Sequence, residues 1–139
     1  MLRGRKVLIV EDDSIIAGVY RHYLSQAGCE VKTVGDGVEA IASLADFRPD
    51  AVLLDLMLPH LNGIDVLKKI RSSENCVGLP VLVITTAFVP EMIKNSIAAG
   101  ATQVLNKSTF TPSLLLVALR ELLDKVPDSI AGCGLPIAD

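Results

Sequence analysis

Five short apolar runs rich in β-branched residues alternate strictly with stretches of helical period: Val7–Val10, Cys29–Val34, Ala51–Leu54, Val81–Thr85 and Thr102–Leu105. Between them, Ile16, Val19, Tyr20, Tyr23, Leu24 and Ala27 follow the i, i+3, i+4, i+7, i+8 pattern from Ser14 and stop at Gly28. Val38–Leu44, Ile64–Ile70, Met92–Ala99 and Ser113–Val126 are the other helix candidates. Gly100 ends the fourth, and Pro112 suits the first turn of the fifth. Strand followed by helix, five times over, calls for a parallel sheet covered on both faces. That burial also explains why the strands read as continuous apolar runs rather than alternating ones. The fold class is α/β, (βα)₅.

The 139 residues, half of them apolar, fit one compact domain that buries roughly 68% of its unfolded surface. No internal repeat or low-complexity segment interrupts them. Residues 1–126 read as the domain, and 127–139, with Pro, Gly and Ser and little periodicity, as a tail or the start of a linker. A formal charge of −3 with scattered Lys and Arg supplies no basic field, which disfavours nucleic-acid binding by this domain. Cys29, Cys76 and Cys133 have neither zinc-site spacing nor the density of a disulfide scaffold, so they read as ordinary thiols in a reducing, cytoplasmic setting. The basic start Met1–Lys6 is followed by only four apolar residues before acids intervene. That pattern excludes a signal peptide, and no run approaches the ~20 apolar residues of a membrane span.

In open parallel sheets, functional groups collect beyond the carboxyl ends of the strands. Here those ends carry Glu11-Asp12-Asp13, Asp55, Thr85-Thr86 and Asn106-Lys107. Neighbouring strands lie only ~4.8 Å apart, so carboxylates from the first and third would face each other across a small cleft. Packed without a counter-charge they would repel one another and take up protons. A hard divalent cation removes that repulsion, and Mg²⁺ commonly uses one or two carboxylates together with waters and a phosphate oxygen. An aspartate carboxylate is a recognised nucleophile for phosphoryl groups, and catalysis of that transfer is largely positioning and charge stabilisation. Lys107 and the Thr85 hydroxyl are suited to supplying the latter at Asp55.

The segments VLIVEDD, GDGVEAI, RPDAVLLDLMLPHLNGIDVLKKIR, PVLVITTA and AAGATQVLNK resemble, in order and spacing, the receiver domains of two-component response regulators, over about Lys6 to Val126. The resemblance implies a flavodoxin-like sheet with strand order 2-1-3-4-5 and Asp55 as phosphoacceptor. It implies Asp12 as a direct metal ligand, Glu11 acting through water, and the backbone carbonyl of Met57 completing the shell of an Mg²⁺ or Mn²⁺ ion. Thr85 and Lys107 match the residues that contact the phosphoryl group, and Pro59 and Gly63 shape the loop after the third strand. The implied donor is a phosphohistidine on a histidine kinase or phosphotransfer protein. The implied output face, made of the fourth helix, fifth strand and fifth helix, serves a homodimer or a target protein.

Three positions depart from the pattern. Ser108 replaces the usual proline after Lys107, and since a non-proline cis bond costs ~2.5–4 kcal/mol, a trans bond or a strained loop is expected. Thr86 is larger than the residue usually found there, and Val104 stands where an aromatic switch is common. Ser108 and Thr86 lend weight to the alternative, a degenerate receiver that binds proteins without being phosphorylated, and the retained acids, Thr85 and Lys107 count against it.

Taken singly, each site residue has an ordinary explanation. Asp begins turns, and Glu11-Asp12-Asp13 could simply cap the first helix, a role expected of Asp13 or Ser14 in any case. The ordered set argues otherwise. An aspartyl phosphohydrolase would need a second acid where Met57 stands, and a flavin-binding loop would not carry three acids after the first strand. His22 and His60 have no metal-ligand spacing and read as surface residues.

Overall fold

The computed structural model describes residues 2–58, 61–86 and 88–124. The strands are β1 (Lys6–Val10), β2 (Glu30–Val34), β3 (Ala51–Asp55), β4 (Val81–Thr85) and β5 (Gln103–Asn106). The helices are α1 (Ser14–Gln26), α2 (Gly37–Phe47), α3 (Gly63–Ser72), α4 (Pro90–Ala99) and α5 (Pro112–Asp124). A single 3-10 turn, Glu74–Cys76, lies between α3 and β4 and had no signal in the periodicity. All strand pairs are parallel, in the order β2-β1-β3-β4-β5.

Side chains alternate across the sheet and build one core on each face. Leu8, Val10, Val52, Leu54, Val81 and Val83 pack with Ala40 and Leu44 of α2 and with Val66, Leu67 and Ile70 of α3. Val7, Ile9, Ala51, Leu53, Leu82 and Ile84 pack instead with Ala17, Tyr20 and Leu24 of α1 and with Leu115, Leu119, Leu122 and Leu123 of α5. Each fully buried Leu or Ile side chain removes enough apolar surface to favour folding by roughly 1.5–3 kcal/mol. Truncating one at the sheet centre, such as Leu54 or Leu82, costs about 2–5 kcal/mol.

Helix starts are fixed by side chains that take up otherwise unpaired N–H groups. Asp13 Oδ1 accepts from the amides of Ile15 and Ile16 at 2.9 and 3.2 Å, Asp36 from Glu39 at 2.8 Å, and Asn62 from Asp65 at 3.0 Å. Helix α1 buries a narrower stripe than its periodicity implies. Ala17, Tyr20 and Leu24 are buried, whereas Val19 and Tyr23 are 41% and 40% exposed, because among the described residues α1 packs chiefly against the sheet and the flank of α5. On α5, Leu116 is half-buried against the core, while Leu114 and Val117 face outward. Val126 and residues 127–139 lie outside the described residues. Cys29 is a buried free thiol as expected, but Cys76 takes part in a disulfide, a departure from the free-thiol reading. Among the described residues no helix is long and apolar enough to cross a membrane.

Candidate functional site

The carboxyl ends of β1, β3, β4 and β5 converge on one edge of the sheet, where strand register decides which side chains meet. Asp55 is the last residue of β3, level with Ile84, and Thr85 is level with Asn106. Glu11 continues β1, its N–H donating to the Val34 carbonyl at 3.0 Å, and the Lys107 N–H donates to the Thr85 carbonyl at 2.9 Å. Glu11, Asp55 and Thr85 are buried, whereas Asp12 is exposed at the rim. Carboxylate oxygens of Glu11, Asp12 and Asp55 all lie within 4.8 Å of one another. The Lys107 ammonium donates to Glu11 Oε1 at 2.7 Å and to Asp55 Oδ2 at 3.1 Å.

One ammonium among three carboxylates leaves the site short of positive charge. Burial pushes the Glu11 carboxyl up, the hydrogen bond from Lys107 pulls it back, and the neighbouring Asp55 charge raises it again. The net result is a rise from 4.5 to about 7. For Lys107, burial pulls the ammonium down, but its bonds to Glu11 and Asp55 and their charges outweigh that and hold it above its ordinary range. Hard oxygen donors this close, carrying surplus negative charge, fit an Mg²⁺-type ion.

Backbone completes the arrangement. The Met57 N–H donates to Asp55 Oδ1 at 3.2 Å, which fixes the segment bearing the Met57 carbonyl beside the cluster, while its side chain is 65% exposed. Gly63 opens α3 so close to this segment that an added Cβ would lie 2.4 Å from Leu56 Cα and 2.8 Å from the Asp55 carbonyl oxygen. Only glycine fits there. Pro59 and His60 fall outside the described residues, and His22 is an exposed residue edge-on to Tyr23. Thr86 is exposed beside Thr85. Val104 is half-buried and packs against the core on the α2–α3 face. Among the described residues no peptide bond is cis, so Ser108 follows Lys107 through an ordinary trans bond.

Two contributors were not singled out from sequence. Asn106 Oδ1 accepts from the Ser108 N–H at 3.0 Å and its carbonyl from the Thr109 N–H at 3.2 Å, a side-chain-closed turn that holds Lys107 in place. Asn followed by Ser and Thr carries that signal. Tyr20, expected only as core, is packed edge-on by Phe110 at 6.1 Å. Burial raises its phenol, the Lys107 ammonium lowers it, and the Glu11 and Asp55 charges raise it, so the ring lies within the field of the site.

A family model described as the response regulator receiver domain matches residues 7–120. The response regulator MprA of Mycobacterium sp. (strain KMS) is 38% identical over 131 residues, covering 91% of this chain and 56% of that protein. The DNA-binding response regulator MtrA of Mycolicibacterium paratuberculosis is 33% identical over 135 residues, covering 97% and 58%. The chain therefore spans little more than half the length of these curated relatives. Among solved structures, the chemotaxis response regulator CheY4 of Vibrio cholerae superposes with a TM-score of 0.81 at 36% identity, covering 86% of this chain and 99% of that one. The receiver domain of the sensor histidine kinase PA1611 of Pseudomonas aeruginosa PAO1, described with a magnesium ion in its active-site cleft, superposes with a TM-score of 0.80 at 30% identity, covering 87% and 98%.

Proposed function

Because this chain belongs to the response regulator receiver family, we propose that it accepts a phosphoryl group from a phosphohistidine protein onto Asp55. The observation that carries this reading is the Lys107 ammonium shared between Asp55 and Glu11, beside three carboxylates whose oxygens lie within 4.8 Å of one another. In the transfer, an Asp55 carboxylate oxygen forms a bond to phosphorus as the phosphorus–nitrogen bond of the donor breaks. The electron pair of that bond stays on the imidazole. The negative charge on the phosphoryl oxygens is met by Lys107 and by a hydrogen bond from the Thr85 hydroxyl. Lys107 is already positioned for this by its bond to Asp55 and by the Asn106 turn.

Asp12, Asp55 and the Met57 carbonyl are the residues that would hold Mg²⁺ or Mn²⁺ directly, with Glu11 acting through water. The ion would supply positive charge to the phosphoryl oxygens and relieve the crowding of carboxylates. Met57, exposed at the rim, and Ala87, which lies outside the described residues, are the positions that flank the path of an attacking water, and Thr86 narrows access to Asp55. We assign the domain to residues 1–126 and its setting to the cytoplasm, where kinases of this type deliver the phosphoryl group. The protein acts as a signalling domain that catalyses its own phosphorylation and dephosphorylation rather than as an enzyme with a separate product.

The test is incubation with acetyl phosphate and Mg²⁺ followed by intact mass measurement. Wild type gains one phosphoryl group, and Asp55→Asn gains none. Label retained by the mutant would move the acceptor elsewhere; no label on either protein would favour a receiver that only binds partners.

A further inference from the structure

The three cysteines of the chain, Cys29, Cys76 and Cys133, are not equivalent. Cys29 is a buried free thiol in the core shared with α1 and α5, where its Sγ donates to the Leu2 carbonyl at 3.5 Å. Burial, followed by the Asp50 charge, raises that thiol, so little of it is the thiolate that exchange chemistry requires. Cys76 is disulfide-bonded. With Cys29 free, the only cysteine left in the sequence to be its partner is Cys133, which lies outside the described residues.

The turn that carries Cys76 is a firm anchor. The Cys76 N–H donates to the Ser73 carbonyl at 3.0 Å, and its carbonyl accepts from the Leu79 N–H at 3.2 Å and from Arg71 Nη1 at 2.9 Å. The same guanidinium donates to the Val77 carbonyl at 3.1 Å and, through Nε, to the Gly100 carbonyl at 2.9 Å, so the turn is tied to the end of α4 as well. Cys76 comes just before β4, at the amino edge of the sheet, and packs on the α2–α3 face. Helix α5 packs on the other face. Its 13 residues rise about 20 Å, slightly more than a five-residue strand spans, so Asp124 arrives at that same amino edge. Residues 125–133 can extend about 30 Å, which exceeds the roughly 20 Å between the two helix layers across the sheet.

We propose that Cys76 and Cys133 form a redox-sensitive tether that draws the segment following α5 across the amino edge of the sheet, from the α5 face to the α2–α3 face. In the cytoplasmic setting proposed above, thiols are kept reduced and a disulfide persists only where it answers to redox conditions. The bond is therefore a modification rather than a permanent staple. Cys76 is fully buried, which leaves the Cys133 sulfur as the point of attack. In reduction, a small thiolate bonds to the Cys133 sulfur, and the Cys76 thiolate leaves and takes up a proton. A second small thiolate then displaces Cys133 as its thiolate, and the reductant departs as a disulfide. Two electrons pass from the two small thiols to the protein. The tether lies at the edge opposite Asp55 and stands independently of the reading of Asp55 as phosphoacceptor.

The test equilibrates the whole chain with oxidised glutathione, quenches it with acid, and alkylates it after unfolding for peptide mapping. The expected product is a linked pair of peptides carrying Cys76 and Cys133, with Cys29 alkylated. The oxidised protein should unfold at a midpoint higher by on the order of ten degrees than the same protein reduced with dithiothreitol. Cys133→Ser should match the reduced wild type whether or not reductant is present. Glutathione adducts on Cys76 and Cys133 without a link between them would overturn the proposal, as would a link from Cys29 or a dimer of two chains joined through Cys133. A linked pair whose reduction leaves the midpoint unchanged would mean that the bond restrains nothing, and overturns the tether too. Failure of Asp55 to take up a phosphoryl group would leave all of these outcomes unaffected.

Discussion

The side chains of Glu11 and Lys107 meet at 2.7 Å although they start from β1 and β5, strands that have β3 and β4 between them. The contact spans the whole active edge of the sheet, and Asp55 lies beneath it, 3.1 Å from the same ammonium. Lysine thus bridges the two buried acids, with the carboxylate of the exposed Asp12 close by. The surplus of negative charge that remains underlies the expected pH response and is what a divalent cation would relieve.

The pH response comes from Glu11, whose carboxyl is pushed up to about 7 chiefly by burial. Folded protein therefore holds this proton more tightly than unfolded protein does. Its contribution to stability is fully present below the ordinary value of 4.5 and is lost as pH rises through about 7. Chemical denaturation in chelator should show metal-free stability falling across that window, and the fall should vanish in Glu11→Gln. Mg²⁺ affinity should rise over the same interval, since the ion and the proton compete for the cluster. A flat affinity between pH 5 and about 7 would remove Glu11 from the metal site.

Asp12→Ala separates a metal ligand from a helix cap. The cap of α1 is already made by Asp13, which takes both the Ile15 and Ile16 amides, so Asp12 has no structural task there. The substitution should weaken Mg²⁺ binding by on the order of tenfold or more and block phosphorylation by acetyl phosphate. Metal-free protein should unfold at a slightly higher temperature because one like charge is gone. Isothermal titration with Mg²⁺ decides the matter, and unchanged binding would leave the acidic run with a capping role only.

Much of this was legible before any coordinates. Helices announced themselves by period and strands as continuous apolar runs, and the sheet order was implied by the resemblance. The carboxyl-end rule selected Glu11, Asp12, Asp55, Thr85 and Lys107, which the fold brings to one edge. What sequence could not show depends on three-dimensional packing. Val19 and Tyr23 fit the helical stripe of α1, yet too little of the fold packs beside that flank to cover them. Arg71 was one of the scattered cations of the sequence and was not singled out. In the fold its guanidinium is half-buried and bonded to neutral backbone carbonyls from two other segments. Ser96 fell within a helix candidate without a signal of its own, and only burial reveals its unpartnered hydroxyl.

Ile15 should matter to a protein donor and not to a small one. It is 78% exposed at the first turn of α1, beside the acidic rim, and continues at i+4 and i+8 into Val19 and Tyr23. Such a stripe suits the apolar flank of a helix carrying the donor histidine. Ile15→Ala is expected to slow transfer from a phosphohistidine protein by roughly fivefold or more while leaving acetyl phosphate labelling unchanged. Equal effects on both donors would assign Ile15 to local packing.

Helix α5, with α4 and β5, is expected to form the output face. Leu115, Ala118, Leu119, Leu122 and Leu123 already supply its buried stripe, yet Leu114 and Val117 remain 50% and 49% exposed. They border a cavity of about 170 Å³ whose wall also includes Leu105, Phe110 and Ala118 together with the polar Gln103, Asn106, Thr109 and Glu121, so the face combines apolar and polar groups from α5 and β5. Phe110 lies edge-on to Tyr20, which places this face one ring away from the field of Glu11, Asp55 and Lys107. A second copy or a target protein seated there would bury both side chains. A charge at position 117 would then have to be desolvated on association. Sedimentation with and without beryllofluoride and Mg²⁺ should show association in the activated state, weakened on the order of tenfold or more by Val117→Lys. Should the protein stay monomeric in every state, with partner binding indifferent to the lysine, the exposed leucine and valine have another use and output leaves the domain by a different face.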